Sequence, residues 1–312
     1  MELKPGEHIP VLLNEVLENL VHTTSGTYID ATFGRGGHCR AMLARLDSDA
    51  RVYGLDRDPQ AVEAGQALAQ EDVRFSMCHA TFGELDRVLD GRGVDAVDGV
   101  LMDVGVSSPQ LDESARGFSF SHDGPLDMRM DPTSGQSAAD WLNHAEQDEI
   151  AYVLKVHGEE RFARRIAGAI VRGRPLHRTA QLAEVVRGSV SQVQWHKSAA
   201  RTFQAIRIYI NAEDEQLRSG LQQAFARLRT GGRLAVISFH SLEDRVVKQQ
   251  FRSWSQPLAL PRRLPLPAQE IATAGRLVGR AQRPGESELA ANPRSRSATL
   301  RVIERLQGAA DG

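Results

Sequence analysis

At 312 residues the chain is long enough for two domains, or for one domain carrying a large insertion. Its 41% hydrophobic and 25% charged residues exclude a wholly disordered, collagen-like or coiled-coil chain, and no apolar run reaches the roughly 18 residues of a membrane span. The net charge of −2 hides a split: residues 1–154 hold 11 Lys and Arg against 27 Asp and Glu, a net −16, while 155–207 hold 11 against 3 and 245–305 hold 12 against 4, a net +8 each.

An N-terminus with acids in place of a basic and then apolar stretch is not a secretory signal, so a cytoplasmic protein with no membrane partner is expected. From residue 27 a strand, Tyr28 to Phe33, enters the loop Gly34-Arg35-Gly36-Gly37, and His38 to Leu46 reads as the following helix. Val52 to Asp56 is a second strand, and the helix after it starts at Asp58-Pro59, where proline suits the first turn. Val73 to His79 and Val97 to Val104 complete a run of strands alternating with helices, which predicts an α/β fold with a parallel, Rossmann-like sheet covered on both faces.

The next strand, Gly232 to Phe239, comes far later than a single crossover helix requires. Ala138 to Val156, Glu159 to Arg172 and Ala180 to Val190 have helical spacing, so an all-helical subdomain is expected at 113–200, inserted between 1–112 and 201–312. The chain returns through a helix over Thr202 to Leu228 that Gly231-Gly232 should end. A proline-rich arm follows Trp254, and the last strand is Ala298 to Leu306.

A glycine loop after the first strand offers backbone N–H groups to a ligand, and Asp56 at the second strand's end suits the two hydroxyls of a ribose. NAD and S-adenosylmethionine sites share these features. A pyrophosphate, however, wants G-x-G-x-x-G, and the run here breaks that spacing at His38. A sulfonium favours acidic surroundings, and Asp30, Asp56 and Asp103 all fall at strand ends. Phe82, just past the third strand, can cover an adenine ring.

After Asp103 the chain reads DVGVSSPQLDESARGFSFSHDGPLDMRMDP. With HIPVLLNE at His8, TFGRGGH at Thr32, LDRDPQA at Leu55, HGEERF at His157, RTFQAIRIYIN at Arg201, GGRLAVISFHSLEDRVVK at Gly231 and NPRSRSATLR at Asn292, it resembles the bacterial 16S ribosomal RNA cytosine-N4 methyltransferase family over nearly its whole length. The resemblance implies a SAM-dependent methyltransferase sheet with a helical substrate-binding insert. It also implies S-adenosyl-L-methionine contacts at Gly36, Gly37, His38, Asp56, Phe82, Asp103 and Gln110, and as substrate a decoding-centre cytidine in 16S rRNA of the small ribosomal subunit.

The exocyclic amine of cytosine is a poor nucleophile, so acceptors must localise its lone pair and alignment must do most of the catalysis, worth about 7 to 11 kcal/mol. Asp103 is the favoured acceptor; Ser108-Pro109 has the more similar local sequence to other amino methyltransferases, and Asp103 can instead serve the cofactor. Methylation at C5 would need a cysteine nucleophile, and Cys39 and Cys78 lie on the first helix and third strand, away from the substrate loop. His240 reads as a structural hydrogen-bonder, and no grouping has metal-ligand spacing. Arg262, Arg263, Arg276, Arg280 and Arg283 are expected to grip flanking phosphates together with the helical insert. A nicotinamide oxidoreductase and a non-catalytic RNA-binding assembly factor are the competing readings, and whether the chain pairs as a homodimer is open.

Overall fold

The computed structural model of the chain describes residues 10–256 and 273–307. Two compact units divide the chain, 1–105 with 215–312, and 106–214. In chain order the first, the sheet unit, begins with α1 (Leu13–Leu20), β1 (Thr27–Asp30), α2 (Gly37–Leu43), β2 (Arg51–Asp56), α3 (Pro59–Glu71), β3 (Phe75–His79), α4 (Leu85–Asp90) and β4 (Val97–Asp103). The helical unit follows with α5 (Ser108–Asp112), α6 (Ala138–His144), α7 (Gln147–Gly158), α8 (Ala163–Arg172), α9 (Thr179–Ser189) and α10 (Trp195–Ile210). After α11 (Glu213–Ala226) come β5 (Leu228–Ser238), α12 (Ser241–Ser255), β6 (Gly275–Leu277), α13 (Glu286–Ala291) and β7 (Thr299–Arg305). The borders expected at 113 and 200 fall inside the helical unit.

The strands form one seven-stranded sheet among the described residues, in the order β3-β2-β1-β4-β5-β7-β6. β1, β2, β3, β4 and β5 pair in parallel, and their apolar runs are buried on both faces, as a sheet covered by helices on each side requires. Alternation along β5 shows it: Leu234 and Val236 enter one core with Val100 and Met102, while Ala235 and Ile237 enter the other with Leu101 and Tyr28. The strand order reverses at β1, flanked by β2 and β4, so the carboxyl ends of these three strands form the crevice where open α/β sheets bind ligands.

Four sequence expectations are corrected here. The sheet is not wholly parallel, because β7 runs antiparallel to β5 and pairs with β6, a strand of three residues too short to stand out in the sequence. Gly231-Gly232 does not end a helix: α11 stops at Ala226, and the glycines lie inside β5, which advances from Leu228 to Arg233 while β4 advances only from Val97 to Gly99. Gly231 takes φ +83° in that bulge, a conformation that glycine adopts without a Cβ clash.

The expected helix over Ala138 to Val156 is two, α6 and α7. The Arg174 guanidinium donates to the carbonyls of Leu142 and Ala145, satisfying the end of α6 from another part of the unit. The expected helix over Thr202 to Leu228 also breaks, at Asn211 and Ala212. Buried Asn211 donates to the Met128 carbonyl and accepts from Met130 N–H, both at 2.8 Å, and Ala212 turns left-handed at φ +50°. Arg207 then holds Glu213 with two bonds of 2.8 Å, fixing where the next helix starts.

The candidate cofactor and catalytic site

Asp30, Asp56 and Asp103 end the three central strands β1, β2 and β4, and no Lys or Arg pairs with them in an ion pair among the described residues. Their environments differ. Asp30 is 1% exposed; its Oδ1 accepts from Thr32 N–H at 3.2 Å and its Oδ2 from the Cys39 thiol at 3.4 Å. Burial, with the nearby Asp56 charge, pushes its pKa from 3.8 up to about 6. Asp30 therefore holds the loop from below.

Asp56 is partly open. Its Oδ2 accepts from Gly34 N–H at 2.8 Å and its Oδ1 from Asp58 N–H at 2.9 Å. Three backbone donors, Gly34, Asp58 and Arg57, fix the carboxylate plane, and of its roughly four acceptor sites one is left for a ribose hydroxyl. Burial raises its pKa, and those backbone bonds oppose the rise.

Asp103 has a quarter of its side chain (24%) accessible, yet its Oδ1 is buried without a hydrogen-bond partner. Burial first, then the charges of Asp30 and Glu243, raise its pKa well above the carboxylate range. Its backbone N–H donates to Thr32 Oγ1 at 2.6 Å, tying the ends of β4 and β1 together. His38 Nδ1 lies 4.0 Å from Asp103 Oδ2, and His38 Nε2 contacts the Val11 carbonyl at 3.1 Å. With 7% of its side chain exposed, His38 backs Asp103.

Packing within the chain also demands two of the loop glycines. A Cβ on Gly36 would sit 2.5 Å from the Phe33 ring, and one on Gly37 would sit 2.3 Å from Pro10, so their own chain excludes side chains there. Gly34 is the open one: φ is +57° and nothing lies nearer than 3.9 Å. Thr32 and Glu243 have no site role in the sequence reading, although both sit within the motifs TFGRGGH and SLED.

Phe82 opens a short 3-10 turn after β3 and packs on α11, where a Cβ on Gly220 would lie 2.7 Å from its ring. Ser108 and Pro109 are the first residues of α5, whose N-cap is Ser107; Gln110 is 5% exposed and its Oε1 accepts from Ser107 N–H at 3.0 Å, closing a capping box. His240 caps α12, and its Nε2 lies 2.9 Å from Glu243 Oε1. Cys39 and Cys78 are free and buried, and burial raises both thiol pKa values, so neither is a ready nucleophile.

The structure sorts the basic residues. On the arm, Arg262 and Arg263 lie outside the described residues, and Arg276 is committed to Glu304 at 2.7 Å. Arg280 and Arg283 are exposed. In the helical unit Arg174, Arg178, Arg187 and Arg207 bond to protein carbonyls or carboxylates. Lys155, Arg161, Arg164, Arg165 and Arg172 are exposed and form no hydrogen bond or ion pair among the described residues.

These carboxylates suit a cationic nucleoside. Asp56 keeps an acceptor site for a ribose, and among the described residues the Asp103 Oδ1 has no partner and no Lys or Arg neutralises either group. Among the described residues no group of His, Cys, Asp and Glu is arranged to hold a metal ion, and no helix is long and apolar enough to cross a membrane.

The family model described as the MraW methylase family matches residues 6–306. A protein of Thiobacillus denitrificans named ribosomal RNA small subunit methyltransferase H is 54% identical over 305 residues, covering 96% of this chain and 97% of the relative. Its namesake from Nitrosococcus oceani is 53% identical over 308 residues, with 96% and 97% covered. Among solved structures, an rRNA methylase from Streptococcus thermophilus aligns with 95% of this chain and 94% of its own at 12% identity and a TM-score of 0.41. Matched over nearly its full length, the chain belongs to the MraW methylase family and is an S-adenosylmethionine-dependent methyltransferase.

Proposed function

We propose that this chain methylates the N4 amine of a decoding-centre cytidine in 16S rRNA of the small ribosomal subunit. Asp103 carries the reading: a carboxyl at the end of β4 with an unpartnered buried oxygen and a proton affinity raised by burial, Asp30 and Glu243. The relatives' name, ribosomal RNA small subunit methyltransferase H, and the sequence motifs support an rRNA substrate.

The cofactor's sulfonium supplies an electrophilic methyl group. Asp56 is the residue to hold its ribose, with Gly34 as the open backbone beside it. Asp103 accepts a hydrogen bond from the N4 amine, which concentrates the lone pair on nitrogen and lines it up with the methyl carbon. As the N–C bond forms and the S–C bond to the methyl breaks, leaving a neutral thioether, N4 loses one proton; the Asp103 carboxylate takes it, its high proton affinity making that transfer favourable. His38, 4.0 Å behind, steadies the carboxylate. Ser108 and Pro109 begin α5, so the turn they form fixes the course of the loop after β4 rather than offering a second base. The target base must leave its stack to present the amine, so an unpaired or flipped cytidine is required.

Mass spectrometry of rRNA nucleosides decides the matter. A strain lacking this protein should lose N4-methylcytidine from 16S rRNA and regain it with the wild-type chain but not with Asp103→Ala; an unchanged N4-methylcytidine level in the deletion strain sinks the reading.

A further inference from the structure

The helical unit contains a cleft of about 340 Å³ between α8 and α9 that no part of the methyl-transfer site uses. Arg165 and Arg172 line it from α8, seven residues and therefore about 10 Å apart on one face of the helix. Among the described residues neither meets a carboxylate or other hydrogen-bonding group. Glu184, the acid of the lining, is already paired with Arg187 at 3.0 Å, and Arg187 also stacks over Trp195 at 4.7 Å. Two unneutralised cations thus flank a space floored by Ala169 and Val185.

The cleft is also open where it need not be. Gly188, in the last turn of α9, has no atom within 4 Å of where its Cβ would be, and its φ is not in the left-handed region. Packing does not require glycine there; a side chain would fill the cleft instead. A fold that leaves two arginines unpaired above a small apolar floor is suited to a phosphate with a sugar or base beneath it. We propose that this cleft anchors one phosphate-bearing nucleotide of the RNA strand outside the reacting cytidine, an inference that rests on the RNA reading above. Arg165 and Arg172 take the phosphate oxygens, and Ala169 and Val185 face the nucleoside.

The test uses the full chain, small ribosomal subunits from a strain lacking it, and radiolabelled S-adenosylmethionine. Replacing Arg165 and Arg172 together with glutamine should raise KM for subunits about tenfold at about 0.15 M salt and leave kcat within twofold. It should also lower the slope of log KM against log salt by about 0.7, the share of the one phosphate charge left unneutralised on a single strand. Affinity for S-adenosylmethionine should not move, and the double lysine variant should keep the slope. Gly188→Leu fills the cleft without touching a charge and should raise KM severalfold.

Unchanged KM in the glutamine variant overturns the proposal, and so does a loss there with none in Gly188→Leu, which would make the cations a diffuse field. Should the wild type methylate no subunit, the RNA reading falls by itself. The cleft is then judged by anisotropy with a fluorescein-labelled RNA 12-mer, where equal affinity of wild type and glutamine variant overturns it.

Discussion

On the sheet unit arginines close on carboxylates: Arg227 reaches Asp86 and Asp90, Arg233 and Arg276 share Glu304, and Arg301 grips Asp244. Three of its carboxylates, at the ends of β1, β2 and β4, have no Lys or Arg partner among the described residues, while Arg280 and Arg283 stay exposed. On the helical unit a cluster of cations is spared: Arg161, Arg164, Arg165 and Arg172, on or beside α8, have no acid among the described residues. Surface ion pairs are worth little each, so pairing most charges and sparing a few tells more about ligands than about stability. The spared carboxylates match a cationic methyl donor and the spared guanidiniums match a polyanion; each cluster lacks the charge its proposed ligand would bring.

That contrast is most exposed at Asp103. Asp103→Ala should lower kcat for subunit methylation by about 10²- to 10⁴-fold, the range for losing a positioned base, while urea unfolding shows a fold at least as stable, since an unpaired buried oxygen has gone. In the wild type, kcat/KM should rise with pH through a limb displaced above the usual carboxylate range, because transfer needs the ionised acid. A pH profile with no such limb would remove Asp103 from proton transfer. Next comes Asp56→Ala, which removes the acceptor proposed for the ribose and frees Gly34 N–H. Calorimetry should show affinity for S-adenosylmethionine falling by tens- to a hundredfold, at about 1.5–3 kcal/mol for one hydrogen bond to a charged group. RNA affinity should stay within twofold.

How much of this could be read beforehand follows from which signals are local. The apolar runs of β1, β2 and β4, each ending in aspartate, are local, and so is Asp58-Pro59 opening α3. The direction of β7 is not, because an apolar run reads the same in both senses and only its partner β5 decides. Nor are the breaks at Ala145 and Asn211, which depend on Arg174 and on the Met128 to Met130 backbone. At the site, Asp56 and Asp103 were legible from their strand ends. The crowding of Gly36 and Gly37 was not, since the groups that press on them, Phe33 and Pro10, are recognisable only in the folded chain. Gln110 was open to a second local reading: Ser107 followed three positions later by glutamine is a capping box, and its carbonyl oxygen takes that part.

Asp30 sharpens the contrast within the sheet unit, between a carboxyl that holds the fold and those that face a ligand. Its pKa of about 6 in the folded chain stands above the ordinary 3.8, so it stabilises the fold fully below pH 4, and that contribution is lost as pH rises through 6. Above that, the folded chain carries a buried charge that costs up to about 3 kcal/mol at about 1.4 kcal/mol per pKa unit. Asp30→Asn can still accept from Thr32 N–H and stays neutral throughout. Urea unfolding should find it about 2 kcal/mol more stable than wild type at pH 8, with the gap closing near pH 4. Parallel stability curves over that range would show that Asp30 is not the protonated group.

The smallest effect separates charge in general from the α8–α9 cleft. Arg161 and Arg164 belong to the same unpaired set as Arg165 and Arg172 but do not line the cleft. If the helical unit draws RNA mainly through its field, all four should matter alike. If the cleft seats a phosphate, Arg161→Gln with Arg164→Gln should raise KM for subunits only two- to threefold, and only at low salt, because charges farther than about 8 Å from a phosphate are screened at about 0.15 M. The cleft variants should keep most of their defect at that salt. Titrating both pairs of variants from low to physiological salt separates the two cases by whether their KM curves converge, and equal persistence of both defects would leave the whole basic face, not the cleft, as the RNA-binding element.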